Sequence, residues 1–157
     1  MTISYRQGDA TAPGEDGPIV IVHVCNDVGK WGKGFVLAVS KRWSEPERTY
    51  RSAFAKPPFP QLGDVQFVPV TGNITVANLI GQHGVRSPRS DAPPPIRYPA
   101  IRKGLKKVAA FARDHGASVV MPRIGCGLAG GHWEEIEPII EETLGAQSIP
   151  VSVYDFS

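Results

Sequence analysis

The chain has 157 residues, of which 17 are Gly and 15 are Pro, well above the roughly 7% and 5% of average usage. With 41% hydrophobic and 20% charged residues it still has the composition of a folded domain, so the excess Gly and Pro must concentrate in loops. A net charge of only +2 argues against life on long nucleic acid, and no apolar run approaches the ~18 residues of a membrane span.

One domain over residues 1–157 is expected at this length, long enough to bury a core. MTISYRQGDA lacks the basic and apolar regions of a signal peptide, which makes a cytoplasmic location the expectation. The two cysteines, Cys25 and Cys126, form no CxxC and are expected to be free thiols. No metal or cofactor is expected, and a monomer is.

In chain order, residues 2–7 alternate weakly and predict a short strand. Pro18 to Cys25 is β-branched and apolar at both parities, as in a central strand covered on both faces. Residues 34–43 and 45–55 suit two short helices. Pro57, Pro58 and Pro60 then break the chain before strands at 63–70 and 74–80. A proline-rich loop follows between Gly84 and Tyr98. From Pro99 to His115 the stripe of Ile101, Leu105, Val108, Ala109 and Ala112 predicts a helix that stops at Gly116. Its basic residues read most simply as a solvated face. A strand at 117–122, a helix at 133–144 and a strand at 150–154 complete the chain. Pro138 fits that last helix poorly unless it stays near the first turn. Strands alternating with helices imply a three-layer α/β/α sandwich.

The glycines are informative by position. Asn26 to Gly34 joins a buried strand to a helix, and Ile124 to His132 does the same after a later strand; together they hold seven of the 17 glycines. Glycine lets backbone N–H groups approach phosphate oxygens, and in open α/β sheets ligands bind where such loops cluster. Two such loops can grip a diphosphate without much side-chain charge. The first is not a Walker A loop, because no Lys-Ser or Lys-Thr follows its glycines. Gly125-x-Gly-x-x-Gly130 matches a dinucleotide fingerprint locally, but too little chain follows it for a Rossmann domain.

Four stretches then resemble the macrodomain family in order and spacing: Gln7-Gly-Asp-Ala-Thr11; His23-Val-Cys-Asn26 with Trp31-Gly-Lys-Gly-Phe35; Asn78-Leu-Ile-Gly-Gln82; and Met121-Pro-Arg-Ile-Gly-Cys-Gly-Leu128 with Trp133. The resemblance covers residues 3–156. It is nearest to the class holding a chromatin-remodeller macrodomain, the vertebrate terminal ADP-ribose glycohydrolase and the yeast ADP-ribose-1″-phosphate phosphatase. It implies a mixed, mostly parallel six-stranded sheet and an ADP-ribose cleft at the strands' carboxyl ends. By it, Asp9 and the Ala10 backbone would hold adenine, with Phe156 stacking on the ring. Gly125, Cys126, Gly127, Leu128, Ala129 and Gly130 would cradle the diphosphate. Trp31, Gly32, Lys33, Gly34 and Phe35 would close over it and the distal ribose, which Asn26 would face. The partner implied is ADP-ribose or an ADP-ribosylated protein, with nucleic acid only as a modified substrate.

Residue by residue, simpler readings stand beside these. Asp9 also suits a turn cap, Trp133 a packing anchor, and Cys25 and Cys126 small residues at turns. Trp31, among glycines, is hard to explain as core. The lysine nucleophile and the aspartate of the vertebrate glycohydrolase are replaced by Gln82 and Ala129. Glutamine cannot form a Schiff base and alanine cannot move protons, so that covalent route is closed. Three activities remain: hydrolysis of ADP-ribosyl esters by a positioned water, ADP-ribose-1″-phosphate hydrolysis, and binding without turnover. Candidate helpers are Asn26, Gln82, His83 and His132, with His23 for the phosphatase. His23 between valines equally suits a satisfied core position, His83 a loop lining and His132 a helix cap.

Overall fold

The computed structural model describes residues 3–87, 89 and 91–156. In chain order it forms β1 (Ile3–Gln7), β2 (Ile19–Asn26), α1 (Phe35–Arg42), α2 (Glu45–Ala53), β3 (Val65–Pro69), β4 (Ile74–Gln82), α3 (Tyr98–His115), β5 (Ser118–Met121), α4 (Trp133–Thr143) and β6 (Val151–Asp155). The six strands form one sheet in the order β1-β6-β5-β2-β4-β3, parallel except where β3 runs antiparallel to β4. Among the described residues no helix is long and apolar enough to cross a membrane.

The strand β2 is apolar at both parities because both its faces are covered. Val20 and Val22 join the side packed by α3 and α4, while Ile19 and Ile21 join the side packed by α1 and α2. The three layers follow from that double burial. Helix α3 buries its predicted stripe and stops at Gly116, which adopts the left-handed conformation at φ 61°. It also lies unusually near the sheet: a Cβ on Gly104 would stand 2.5 Å from Leu79, and one on Gly81 the same distance from Ile101. Only glycine permits that approach.

The structure corrects two sequence expectations here. Strand β4 runs on to Gln82 instead of ending at 80, because Asn26 pairs with Gln82 across a register shift after Cys25. Pro138 sits in the interior of α4 and not in its first turn. The carbonyl it leaves without its helical partner is that of Glu134, and both residues are exposed, so it is open to solvent.

His23 is 1% exposed, and its Nε2 lies 2.6 Å from Asn78 Oδ1. The Asn78 Nδ2 donates to Pro46 O and Gln66 Oε1, so Asn78 Oδ1 is an acceptor and His23 Nε2 carries the proton. The His23 Nδ1 has no partner among the described residues. Desolvation pushes the imidazole down from 6.5 to about 4, against the opposing pull of Asn78. A base depressed on folding destabilises as pH falls through the window from its unfolded to its folded value, here 6.5 to about 4. Urea unfolding at pH 7 and pH 5 should therefore show about 2 kcal/mol lost to His23. His23→Gln should lack that component; an unchanged pH dependence in the variant would show that His23 does not carry it.

Candidate functional site

The site originates in how the chain leaves the sheet. Neighbouring parallel strands β2 and β5 send their successors to opposite faces, β2 to α1 and α2, β5 to α4. Loops that part in this way leave a crevice at the strands' carboxyl ends. Two hollows occupy it. The first, about 480 Å³, is lined by residues including Asn26, Trp31, Gly32, Lys33, Gln82 and Leu128. The second, about 410 Å³, is lined by Asp9, Ala10, Gly34, Phe35, Arg123 and Phe156 among others. The segment 30–38 contributes to both, so the two hollows form the ends of one elongated cleft.

At the second hollow, Asp9 Oδ1 accepts from the Thr11 amide at 2.8 Å and the Thr11 hydroxyl at 2.7 Å. Desolvation raises this carboxyl, but the two Thr11 hydrogen bonds outweigh it and hold it below its ordinary value. The turn-cap role of Asp9 is therefore real, and it uses only one carboxylate oxygen. Ala10 is buried, whereas Phe156 is 82% exposed and offers an open aromatic face. The hollow also contains a residue to which the sequence assigned no role. Arg123 binds Asp155 through two contacts, at 2.7 and 3.0 Å, and its guanidinium lies 5.2 Å from the rings of both Tyr5 and Trp133. The hydrogen bond from Arg123 holds the Asp155 carboxyl below its usual range. Arg123 stands inside the quoted Met121–Leu128 stretch; its partner 32 residues on gives no local signal.

The first hollow corrects two assignments. Asn26 borders it, but the amide is largely committed to shaping the 26–30 loop. Its Oδ1 accepts from the Val28 and Lys30 amides at 3.0 and 3.2 Å, and its Nδ2 donates to Lys30 O. The Tyr50 hydroxyl donates to the same Oδ1 at 2.6 Å and reaches Asn26 O at 2.8 Å. Asn26 is a scaffold residue with one amide hydrogen to spare, not an available catalytic group. Trp31 is the second correction: hard to explain as core from the sequence, it is 5% exposed and packs in the core, while remaining among the residues that line this hollow. Its indole N–H donates to Ser40 Oγ at 2.7 Å and Val36 O at 3.2 Å, and its ring lies 5.5 Å from that of Tyr50. The missing neighbours that made Trp31 look surplus come from α1 and α2. Gly32 and Lys33 remain exposed along the cleft.

The later glycine loop divides by direction. Gly125 packs against Ile96 and Ile136, Ala129 is buried, and a Cβ on Gly130 would stand 2.7 Å from Pro94. Gly127, at φ 69°, faces open space, and Leu128 lines the first hollow. Gly127 to Ala129 form a 310 turn, whose leading amides have no partners within it. Cys126 is half-buried and burial raises its thiol, as it does more strongly for Cys25; neither is an activated nucleophile.

The histidines separate. His23 is enclosed beneath the cleft, so the structure removes it as a catalytic candidate. His132 is exposed at the start of α4, with its backbone N–H on Tyr98 Oη, and is not among the residues lining either hollow. Its side chain does not cap the helix. Gln82 lines the first hollow, with Nε2 donating to Gly84 O at 3.0 Å and Oε1 left as an acceptor. His83, next along, is exposed and, like His132, is not among the residues lining either hollow; its Nδ1 lies 2.8 Å from Asp27 Oδ2. Asp27 Oδ1 accepts from the Gly84 amide at 2.8 Å. Burial raises Asp27, but those two contacts prevail and keep it below the ordinary carboxyl range. Asp27 was missed in the sequence because its partner comes from another strand end.

An α/β/α domain with a two-ended cleft at the carboxyl edge of its sheet is a ligand-binding architecture. No family model matches the chain. A solved structure of a macrodomain protein from Streptomyces coelicolor is 51% identical, with a TM-score of 0.85 and 99% of both chains covered. Among curated proteins, mouse chromodomain-helicase-DNA-binding protein 1-like is 34% identical over 165 residues, 99% of this chain and 18% of that protein. Bovine ADP-ribose glycohydrolase OARD1 is 40% identical over 58 residues, 36% of this chain and 38% of that protein. The chain belongs to the macrodomain family. It spans less than a fifth of the length of the chromodomain-helicase relatives that it matches.

The Asn26–Tyr50 contact is directly testable. Tyr50 is fully buried, and burial pushes its phenol above its ordinary value, so it stays a donor. Tyr50→Phe should cost about 1 kcal/mol in urea unfolding, the worth of one buried hydrogen bond. No measurable loss would show that the hydroxyl does not hold the loop.

Proposed function

We propose that this chain binds ADP-ribose along the cleft and hydrolyses ADP-ribosyl esters on protein carboxylates with a positioned water. The observation that carries the reading is the division of the cleft into two hollows joined by segment 30–38, beside the 127–129 turn. A ligand with a base at one end, a ribose at the other and a diphosphate between matches that division. Asp9 keeps a carboxylate oxygen for the adenine amino group, and Phe156 offers its face for stacking. The diphosphate lies against backbone amides and the exposed Lys33.

The distal ribose then sits at the 480 Å³ end, beside Gln82. Water attacks C1″; the bond from C1″ to the carboxylate oxygen breaks, and the carboxylate leaves with the bonding electrons. A carboxylate is a stable leaving group that needs no acid. Gln82 Oε1 orients the water, and His83, fixed through Nδ1 by Asp27, takes its proton at Nε2. Positioning contributes most of the acceleration. The phosphatase reading loses its residue with His23 enclosed. Binding without turnover is favoured by the commitment of Asn26 to its loop, and the same assay decides it.

Incubation with protein ADP-ribosylated on Glu and Asp should release ADP-ribose, whereas ADP-ribose-1″-phosphate should yield no phosphate. Tight binding with neither product would establish the reader, and absence of ADP-ribose binding by the folded protein would overturn the reading. Gln82→Ala and His83→Ala should each lower kcat about 10- to 100-fold with KM changed less than threefold. Gly127→Glu should abolish binding, because its side chain enters open space beside the 310 turn and sets a carboxylate against the diphosphate. Its thermal midpoint should fall only by the few degrees that a side chain at positive φ costs.

A further inference from the structure

The cleft does not end at the distal ribose. Arg86 and Ser87, which border the 480 Å³ hollow, also line a third one of about 360 Å³ beyond it. The far wall of this third hollow is Pro93, Pro94 and Pro95. That wall is fixed: the Arg97 guanidinium donates to the carbonyls of Pro94, Pro95 and Ile96 at 2.9 to 3.0 Å. Pro95 O also accepts from the His83 amide at 2.8 Å, and the Ile96 amide donates to Ala129 O at 3.0 Å. The hollow is therefore tied to both strand-end loops of the cleft.

We propose that this third hollow seats the polypeptide flanking the modified carboxylate, and that it selects acidic flanking residues. The inference rests on the reading of the cleft given above and extends it to the acceptor. Position comes first: the third hollow adjoins the proposed ribose hollow through Arg86 and Ser87, so it lies within reach of a group attached at C1″. Charge comes second. Arg89 is paired with Asp91 at 3.0 Å, while Arg86 has no carboxylate partner among the described residues and stands at the junction. An unpaired guanidinium at that point favours a carboxylate one or two residues from the linkage. A nucleic acid strand fits less well. Among the described residues no aromatic side chain lines the hollow for a base to stack on. The basic residues Arg102 and Lys107 elsewhere are taken up by Glu142 and Asp64.

The test uses peptides carrying ADP-ribose on an aminooxy side chain, a linkage that an ester hydrolase does not cleave, with acidic flanks or their amide counterparts. Dissociation constants are read by fluorescence anisotropy beside that of free ADP-ribose. The full chain should prefer the acidic peptide about tenfold. Arg86→Ala should reduce that ratio below twofold, and Ala92→Glu, which adds a carboxylate to the same hollow, should bring it to one or below. Equal affinities in the unaltered protein, or an undiminished ratio in Arg86→Ala, would overturn the proposal while leaving ADP-ribose binding intact. So would tighter, Arg86-dependent binding of an oligonucleotide ADP-ribosylated on its terminal phosphate. Failure to bind free ADP-ribose would instead overturn the reading of the cleft, and this proposal with it.

Discussion

The cleft depends on one buried contact, the meeting of the Tyr50 hydroxyl with both oxygens of Asn26 at the end of β2. Strand β2 is paired on both edges, so its end is fixed by the sheet. Beyond it the chain must turn away from β5, and the residues 26–30 have little apolar reason to hold a shape. Asn26 supplies that reason by binding the amides of Val28 and Lys30 and the carbonyl of Lys30. Tyr50 then anchors Asn26 to α2, and Trp31 inserts between α1, α2 and the sheet. The exposed backbone of Gly32 and Lys33 is thereby held at the edge of the crevice. A buried hydroxyl and a buried indole thus link the helical layer to the geometry of the binding loop.

Electrostatics in the site come from small, fixed elements instead of a charged surface. A net charge of +2 supplies no broad field. The carboxylates at this end of the sheet are individually assigned: Asp9 to Thr11, Asp155 to Arg123, Asp27 to Gly84 and His83. Each carboxyl is held below its ordinary range, so all remain ionised near neutrality. Preorganised groups of this kind need no rearrangement when a ligand arrives. The segments proposed to contact the diphosphate, 30–38 and 127–129, contain no Asp or Glu.

What could be read in the sequence follows the range of the interaction. The stripe of α3 and the double-sided apolarity of β2 are local patterns, and both match the structure. The glycine loops were legible as loops, but not the direction of each residue: Gly125 and Gly130 pack inward because Ile96 and Pro94 approach from a distant segment. Trp31 looked exposed for the same reason, since Tyr50 and Ser40 are nearer in space than in sequence. The register shift that carries β4 to Gln82 has no local signature either, yet it sets Gln82 beside Asn26. His23 was legible in two ways, and only burial separates the core residue from the catalyst.

The substitutions at the reacting end then form a consistent set. With Gln82 and Ala129 where the vertebrate glycohydrolase that this chain resembles has its lysine and aspartate, neither a Schiff base nor a carboxyl proton shuttle is possible from those two positions. Ala129 is also buried, with its carbonyl holding Ile96, so this position has become part of the wall supporting the proline segment. Where a reacting group is expected by that resemblance, this chain carries a structural one. On the proposed reading this suits a substrate whose own leaving group is good, because a carboxylate departs without protonation and water need only be placed. On that reading the demand on the protein moves from chemistry to recognition: holding the ribose, admitting one water and seating the acceptor. Gln82 and Arg86, which line the 480 Å³ hollow, and the neighbouring Asp27–His83 pair are polar groups that fit that demand.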